Sequence, residues 1–266
     1  MTLAITPQVL RYQAGSISSD VDELAIEEPL EIRVRGRAIS ITMRTPGDDP
    51  ELAAGFLLSE GVVRSRSDLL KIEPCDRNPD GNLINVLLAP EVAVDFAKLT
   101  RHVFASSSCG LCGKATIDAL RGTFAPIDSP LAVDASMLLK FPGTMRAAQK
   151  TFARTGGLHA AALFDAGGAM IALREDVGRH NAVDKVLGFA LLHDMIPLSS
   201  HVLLVSGRLS FEIMQKALAG RVPIVAAVSA PSSLAVEFAE ENGQTLVGFL
   251  RDQRMNVYSH PDRIRF

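Results

Sequence analysis

HVLLVSGRLSFEIMQKALAGRVPIVAAVSAPSSLAVEFAEENGQTLVGFLR, residues 201–251, is the stretch that decides the fold. Three runs within it, HVLLVSG, VPIVAAVS and TLVGFLR, are apolar throughout rather than alternating, the pattern of strands buried on both faces. Between them, SFEIMQKALAG and SSLAVEFAEEN carry helical spacing. Strand, helix, strand, helix, strand predicts βαβ units and a mostly parallel sheet with helices on both faces.

Working upstream, LHAAALF (158–164) and AMIALRE (169–175) flank the turn DAGG and predict one antiparallel hairpin. A helix is predicted over 179–193, with Ala182, Val183, Val186, Leu187, Ala190 and Leu191 on one apolar stripe. Further back, LEIRVRGRAISITMR (30–44) alternates around Gly36 and reads as a hairpin. TPGDDPELAAGFLLSEG reads as a helix with Asp49 as N-cap, Pro50 at the first helical position and Gly61 as the stop. LLKIEP and LINVLLAP flank the turn-rich CDRNPDGN as a second hairpin. The division predicted is a flexible arm (1–25), a small α+β unit (26–105), a cysteine-bearing loop with connecting helices (106–150) and an α/β core (151–266).

In an open α/β sheet, ligands bind beyond the carboxyl ends of the strands. Four such ends lead into REDVGRHN (174–181), SGRLS (206–210), SAPSS (229–233) and RDQRMN (251–256), and RTGGLH (154–159) enters on the same edge. This rim gathers Arg154, Arg174, Arg179, Arg208, Arg251 and Arg254, suited to a nucleotide or pyrophosphate-bearing ligand. Arg174, Arg179, His180, Ser206, Gly207, Arg208 and Ser229 are the candidate contacts. Glu175 and Asp176 read either as binders of a nucleotide's base edge or ribose hydroxyls, or as partners of the arginines. His180 and Asp184 read either as an orienting pair or as an exposed i,i+4 contact. His159 reads either as a rim ligand or, as the apolar strand around it favours, as a satisfied core histidine; Cys75 reads as incidental and Asp49-Pro50 as structural.

The bounds agree with a globular protein: 266 residues, 47% hydrophobic and 21% charged. A net charge of −3 gives no electrostatic reason to expect nucleic-acid or membrane binding. Three cysteines are too few for a disulfide framework, the start MTLAITPQVLRYQ lacks a signal-peptide layout, and no apolar run approaches the ~18 residues of a spanning helix. The reading is a cytoplasmic protein.

Two of the cysteines form SSSCGLCGK (106–114). Structural zinc needs four ligands, and the remaining candidates, Cys75 and His102, show no second paired spacing, so no permanent metal is expected. Cys109 and Cys112, before a predicted helix start and beside Lys114, suit either a dithiol redox pair or a persulfide carrier. The residues alone leave both open.

Taken in order, SSSCGLCGK, RTGGLHAAALF, REDVGRHNAVDKVLG, SGRLSFEIMQKALAG, SAPSSLAVEFA and GFLRDQRMNVYSHP closely resemble the FdhD family of formate dehydrogenase accessory sulfurtransferases. The resemblance covers about residues 30–260. It implies a dimeric cytoplasmic protein with a cytidine-deaminase-like α/β fold. It also implies sulfur transfer, through a cysteine persulfide, from a cysteine desulfurase to the Mo-bis(molybdopterin guanine dinucleotide) cofactor that formate dehydrogenase needs. By resemblance Cys109 matches the persulfide carrier, and Phe249, Leu250, Arg251, Asp252, Gln253 and Arg254 match a cofactor-binding segment; Cys112 is placed to close a disulfide with Cys109. Deamination is excluded: at His159-Ala160-Ala161 the required Glu is missing, Ser108 stands where a proline precedes the cysteines, and the cysteines come before the histidine. A cofactor-binding chaperone and a thiol–disulfide oxidoreductase are the alternatives.

Overall fold

A computed structural model describes residues 3–75, 78, 81–99, 124–251 and 253–266. Cys109, Cys112, Lys114, His102 and Asp252 lie outside them.

Residues read as a loose arm carry regular structure. β1 (Ala4–Ile5) pairs with β4 (Leu24–Ala25), and between them β2 (Gln8–Gln13) and β3 (Ser16–Val21) form a hairpin. Its turn, Ala14-Gly15, has positive φ at both positions, the geometry that closes a two-residue hairpin.

β5 (Glu28–Val34) and β6 (Arg37–Arg44) pair antiparallel around Arg35-Gly36, again both at positive φ. α1 (Asp49–Ser59) follows, then β7 (Leu69–Pro74), β8 (Leu83–Leu88) and the short α2 (Phe96–Leu99). The sheet runs β6-β5-β8-β7. The cap of α1 is Asp48, not Asp49: the Asp49 carboxylate is drawn into a bidentate pair with the buried Arg44 guanidinium, at 2.9 and 3.0 Å.

β9 (Val133–Asp134), α3 (Ala135–Leu138), α4 (Phe141–Ala148) and α5 (Lys150–Thr155) lead into the main sheet. That sheet uses β10 (His159–Asp165), β11 (Met170–Asp176), β12 (His201–Val205), β13 (Ile224–Ala227), β14 (Thr245–Arg251) and β15 (Arg254–Ser259), in the order β11-β10-β12-β13-β14-β15. α6 (Arg179–Leu192), α7 (Phe211–Ala219) and α8 (Ser233–Glu241) connect it, and β16 (Ile264–Arg265) pairs with β9.

Only β12-β13 and β13-β14 are parallel; the other pairings are antiparallel, so the sheet is mixed rather than mostly parallel. The difference lies in β15 and in the seat of β10, antiparallel to both β11 and β12. Residues 251–256, read as a loop, turn tightly at Gln253 (φ 63°) and return as an edge strand whose alternating exposure hides it among polar residues.

Successive residues of the central strands serve opposite cores. Ala160, Ala162, Phe164, Val202, Leu204, Ile224 and Ala226 meet Phe141 and Met145 of α4. Ala161, Leu163, Leu203, Val205 and Val225 face the core of α6, α7 and α8, which continues through α1 into the β5–β8 sheet. α6 is therefore buried almost all round rather than along one stripe. It crosses α1 in bare backbone contact: a Cβ on Gly188 would lie 1.8 Å from the Glu51 carbonyl oxygen, and one on Gly55 1.8 Å from that of Asp184. The buried charges of α6 are neutralised internally. Lys185 pairs with Asp176 at 2.8 Å, and Asp184 accepts from Lys216 Nζ at 2.9 and 2.8 Å and from Ser59 Oγ at 3.0 Å.

Candidate functional site

The carboxyl ends of β12, β13 and β14 are stitched into one rim by backbone hydrogen bonds. Leu209 N–H donates to the Ala230 carbonyl, Ser232 N–H to that of Leu209, and Phe249 N–H to that of Ser229. At the β10 side, Ser206 N–H donates to the Ala160 carbonyl and Ser206 Oγ accepts from Ala160 N–H, both at 2.9 Å. Ser206, Gly207, Ser229 and the start of β10 thus converge because the strand order puts them there.

Beside this rim opens a cavity of about 580 Å³, within the ~300–1,000 Å³ range of small-molecule sites. Met145, Arg146, Gln149, Phe152, His159 and Ser206 are among its lining. Arg146 stacks over the Phe152 ring, 4.3 Å from its centroid. His159 is half-buried, and its ring makes no hydrogen bond among the described residues, so it is not the satisfied core histidine expected of its strand. Burial foremost, then the charges of Arg179 and His180, hold its pKa below the ordinary 6.5, with Asp176 opposing. His180 Nε2 lies 2.8 Å from Glu212 Oε2, close but without hydrogen-bond alignment, and this contact with His180 is the main reason the Glu212 carboxyl titrates below its usual range.

Of the expected contacts, Arg179 and Arg208 stand at the rim, and neither guanidinium has a hydrogen bond or ion pair among the described residues. Arg251 and Arg254 are exposed at the β14–β15 turn, with Arg251 5.8 Å from the Phe249 ring centroid. Phe249 itself is in the left-handed region, at φ 52°. The Leu250 side chain is fully buried in the α4-side core, where it supports the segment.

Arg174 is turned away from the rim. Its guanidinium is held bidentate by Glu51 at 2.5 and 2.7 Å and faces a separate cavity of about 280 Å³. The neighbouring acids are not paired with the rim arginines among the described residues. Glu175 accepts from the Thr151 and Phe152 N–H groups at the start of α5, and Asp176 accepts from Thr45 N–H, Gly178 N–H, Asn181 Nδ2 and Lys185. Arg154 is paired with Glu23. His180 and Asp184 form no pair, since one meets Glu212 and the other Lys216. The contribution of α4 and α5 to the cavity had no sequence signal beyond Arg146 and Gln149 lying between apolar positions. Among the described residues no cluster of His, Cys, Asp and Glu is arranged to hold a metal, and no helix is long and apolar enough to cross a membrane.

The model of the FdhD/NarQ family matches residues 25–265. The chain belongs to the FdhD/NarQ family. Among family members, the sulfur carrier protein FdhD of Mycobacterium tuberculosis is 53% identical over 267 residues, 97% of each chain. That of Streptomyces coelicolor is 53% identical over 265 residues, 97% of this chain and 94% of the other. A crystal structure described as a formate dehydrogenase accessory protein, from Desulfotalea psychrophila, aligns with a TM-score of 0.80 at 27% identity, over 99% of this chain and 100% of that one. The family match extends over the four-stranded sheet, the main sheet and the whole rim, and begins after the β2–β3 hairpin.

Proposed function

We propose that this protein is a sulfur carrier that loads sulfur on Cys109 from a cysteine desulfurase and delivers it to the Mo-bis(molybdopterin guanine dinucleotide) cofactor of formate dehydrogenase. It works as a cytoplasmic homodimer. The observation that carries the reading is the arginine-bearing rim beside a nucleotide-sized cavity, in a chain about half identical over its full length to proteins named as sulfur carriers. The hairpin-flanked parallel strands also support a cytidine-deaminase-like core, turned here to sulfur delivery.

The Cys109 thiolate attacks the outer sulfur of the donor's persulfide. The donor's S–S bond breaks and its thiolate leaves, so the sulfur moves without net oxidation. For delivery as sulfide, the Cys112 thiolate attacks the inner sulfur of Cys109. Sulfide leaves toward the molybdenum with the bonding electrons, and a cellular dithiol later reduces the Cys109–Cys112 disulfide. Arg179, Arg208, Arg251 and Arg254 meet the cargo's diphosphates, for which bidentate guanidinium contacts are well suited.

The test is to incubate the purified protein with a cysteine desulfurase and cysteine, then cyanolyse. The wild type is expected to yield labile sulfur as thiocyanate and Cys109→Ala none. Equal yields refute the carrier assignment and favour a chaperone that binds the cofactor without touching its sulfur.

A further inference from the structure

We propose that His159 contacts the ligand in the rim cavity and takes up a proton as an anionic diphosphate docks there, so that nucleotide affinity rises as the pH falls. This rests on the reading of the rim as a diphosphate-bearing nucleotide site, and adds to it a residue and a proton.

The geometry isolates this imidazole. His159 is the first residue of β10 and lines the cavity, yet the polar backbone beside it is already used: Ala160 N–H and C=O are both bonded to Ser206. Its own ring nitrogens have no hydrogen-bond partner among the described residues. The ring lies against Gly207, where a Cβ would sit 3.3 Å from Nδ1, so the absent side chain is what leaves the imidazole its place.

The charges around it are unbalanced. α6 contributes Arg179 and His180, with Glu212 of α7 drawn to His180. α4 contributes Arg146 on the wall of the same cavity. The end of β11 contributes Asp176, but that carboxylate is fully buried and spent on Lys185, Asn181 and two backbone N–H groups. The exposed Arg208 belongs to the adjoining loop. Burial foremost, and then this cationic setting, disfavour the charged ring when no anion is near. An opposite charge within about 4–6 Å moves a titration by about 1–3 pH units. A diphosphate between His159 and Arg179 supplies such a charge. The proton comes from solvent and returns to it on release, and no bond of the ligand changes.

The experiment is calorimetric titration of the full chain with GDP, in buffers of differing ionisation enthalpy. It compares wild type and His159→Gln at pH 6, 7 and 8, with guanosine as the ligand lacking phosphate. The wild type is expected to take up more protons with GDP than the variant does. Its affinity advantage over the variant is expected to grow about five- to tenfold from pH 8 to pH 6. Guanosine is expected to give no excess uptake. Should His159→Gln not fold, the ring-proton NMR titration of the wild type decides. Of the six histidines, the one with a depressed titration that His159→Asn removes is expected to move upward with GDP. GDP binding with the same uptake in both proteins, no histidine titration moved by GDP, or equal uptake with guanosine each overturns the His159 proposal and leaves the nucleotide site standing. No saturable GDP binding by the wild type at any of these pH values overturns both.

Discussion

Replacing Gly188 by alanine is expected to destabilise the chain although alanine is the better helix former. The new Cβ would lie 1.8 Å from the Glu51 carbonyl oxygen, 2.6 Å from its carbon and 2.8 Å from Gly55 N. All three are backbone atoms, so no rotamer change relieves the clash, and α1 and α6 must part by about 1.5 Å to restore ordinary contact. Overpacking alone costs about 1–3 kcal/mol. The parting also stretches the Ser59–Asp184 link between the two helices and the Glu51–Arg174 link from α1 to β11, at a cost of about 1 kcal/mol each. Against this stands the gain of about 1 kcal/mol for alanine over glycine within a helix. The net loss is about 2–4 kcal/mol, and at about 2–4 °C per kcal/mol for a chain of this size the Tm is expected to fall by roughly 5–10 °C. Thermal melts and urea unfolding of wild type and G188A measure it. A Tm within a degree of wild type, or above it, would show that the seam yields and refute the reasoning.

Lys216→Met is expected to cost about 3–5 kcal/mol in urea unfolding, because it strands the buried Asp184 carboxylate, whereas adding Asp184→Leu is expected to restore most of the loss. A double variant no better than the single one refutes this account. Stability is expected to fall as the pH drops below about 6.5. Burial lowers the pKa of both His159 and His201 from the ordinary 6.5, so below that value the unfolded chain binds more protons than the folded one. Urea midpoints at pH 7.5, 6.0 and 5.0 check the sign, and His201→Gln is expected to flatten the slope, since His201 Nδ1 is buried without a hydrogen bond.

What the sequence revealed and what it concealed follow from the range of the forces involved. The uniform apolar runs at 201–207, 222–229 and 245–251 announce buried strands locally, and the strand-end rule then places Ser206, Ser229 and Phe249 on one edge. Elements at the surface were harder. β15 alternates exposed and half-buried residues at a sheet edge, and β2–β3 exposes Leu10, Tyr12 and Ile17, so neither leaves a burial signature; Ala14-Gly15 was the overlooked turn signal. The fate of individual charges was hidden for another reason. Arg174 finds Glu51 at a separation of 123 residues, and Lys216 finds Ser59 at 157. Such pairings are decided by packing that no local pattern encodes. Gly55 and Gly188 read as ordinary small residues until the two helices are set side by side.

The seam between those two glycines restricts how this molecule can diversify. Elsewhere in a core, inheritance proceeds by small steps, trading one methyl group for another while the volume is roughly kept. Where main chain rests on main chain there is no smaller residue to retreat to, and the next larger one already collides. Changes that tune this chain to heat or cold are therefore expected at other positions, with the spacing of α1 and α6 left as it is.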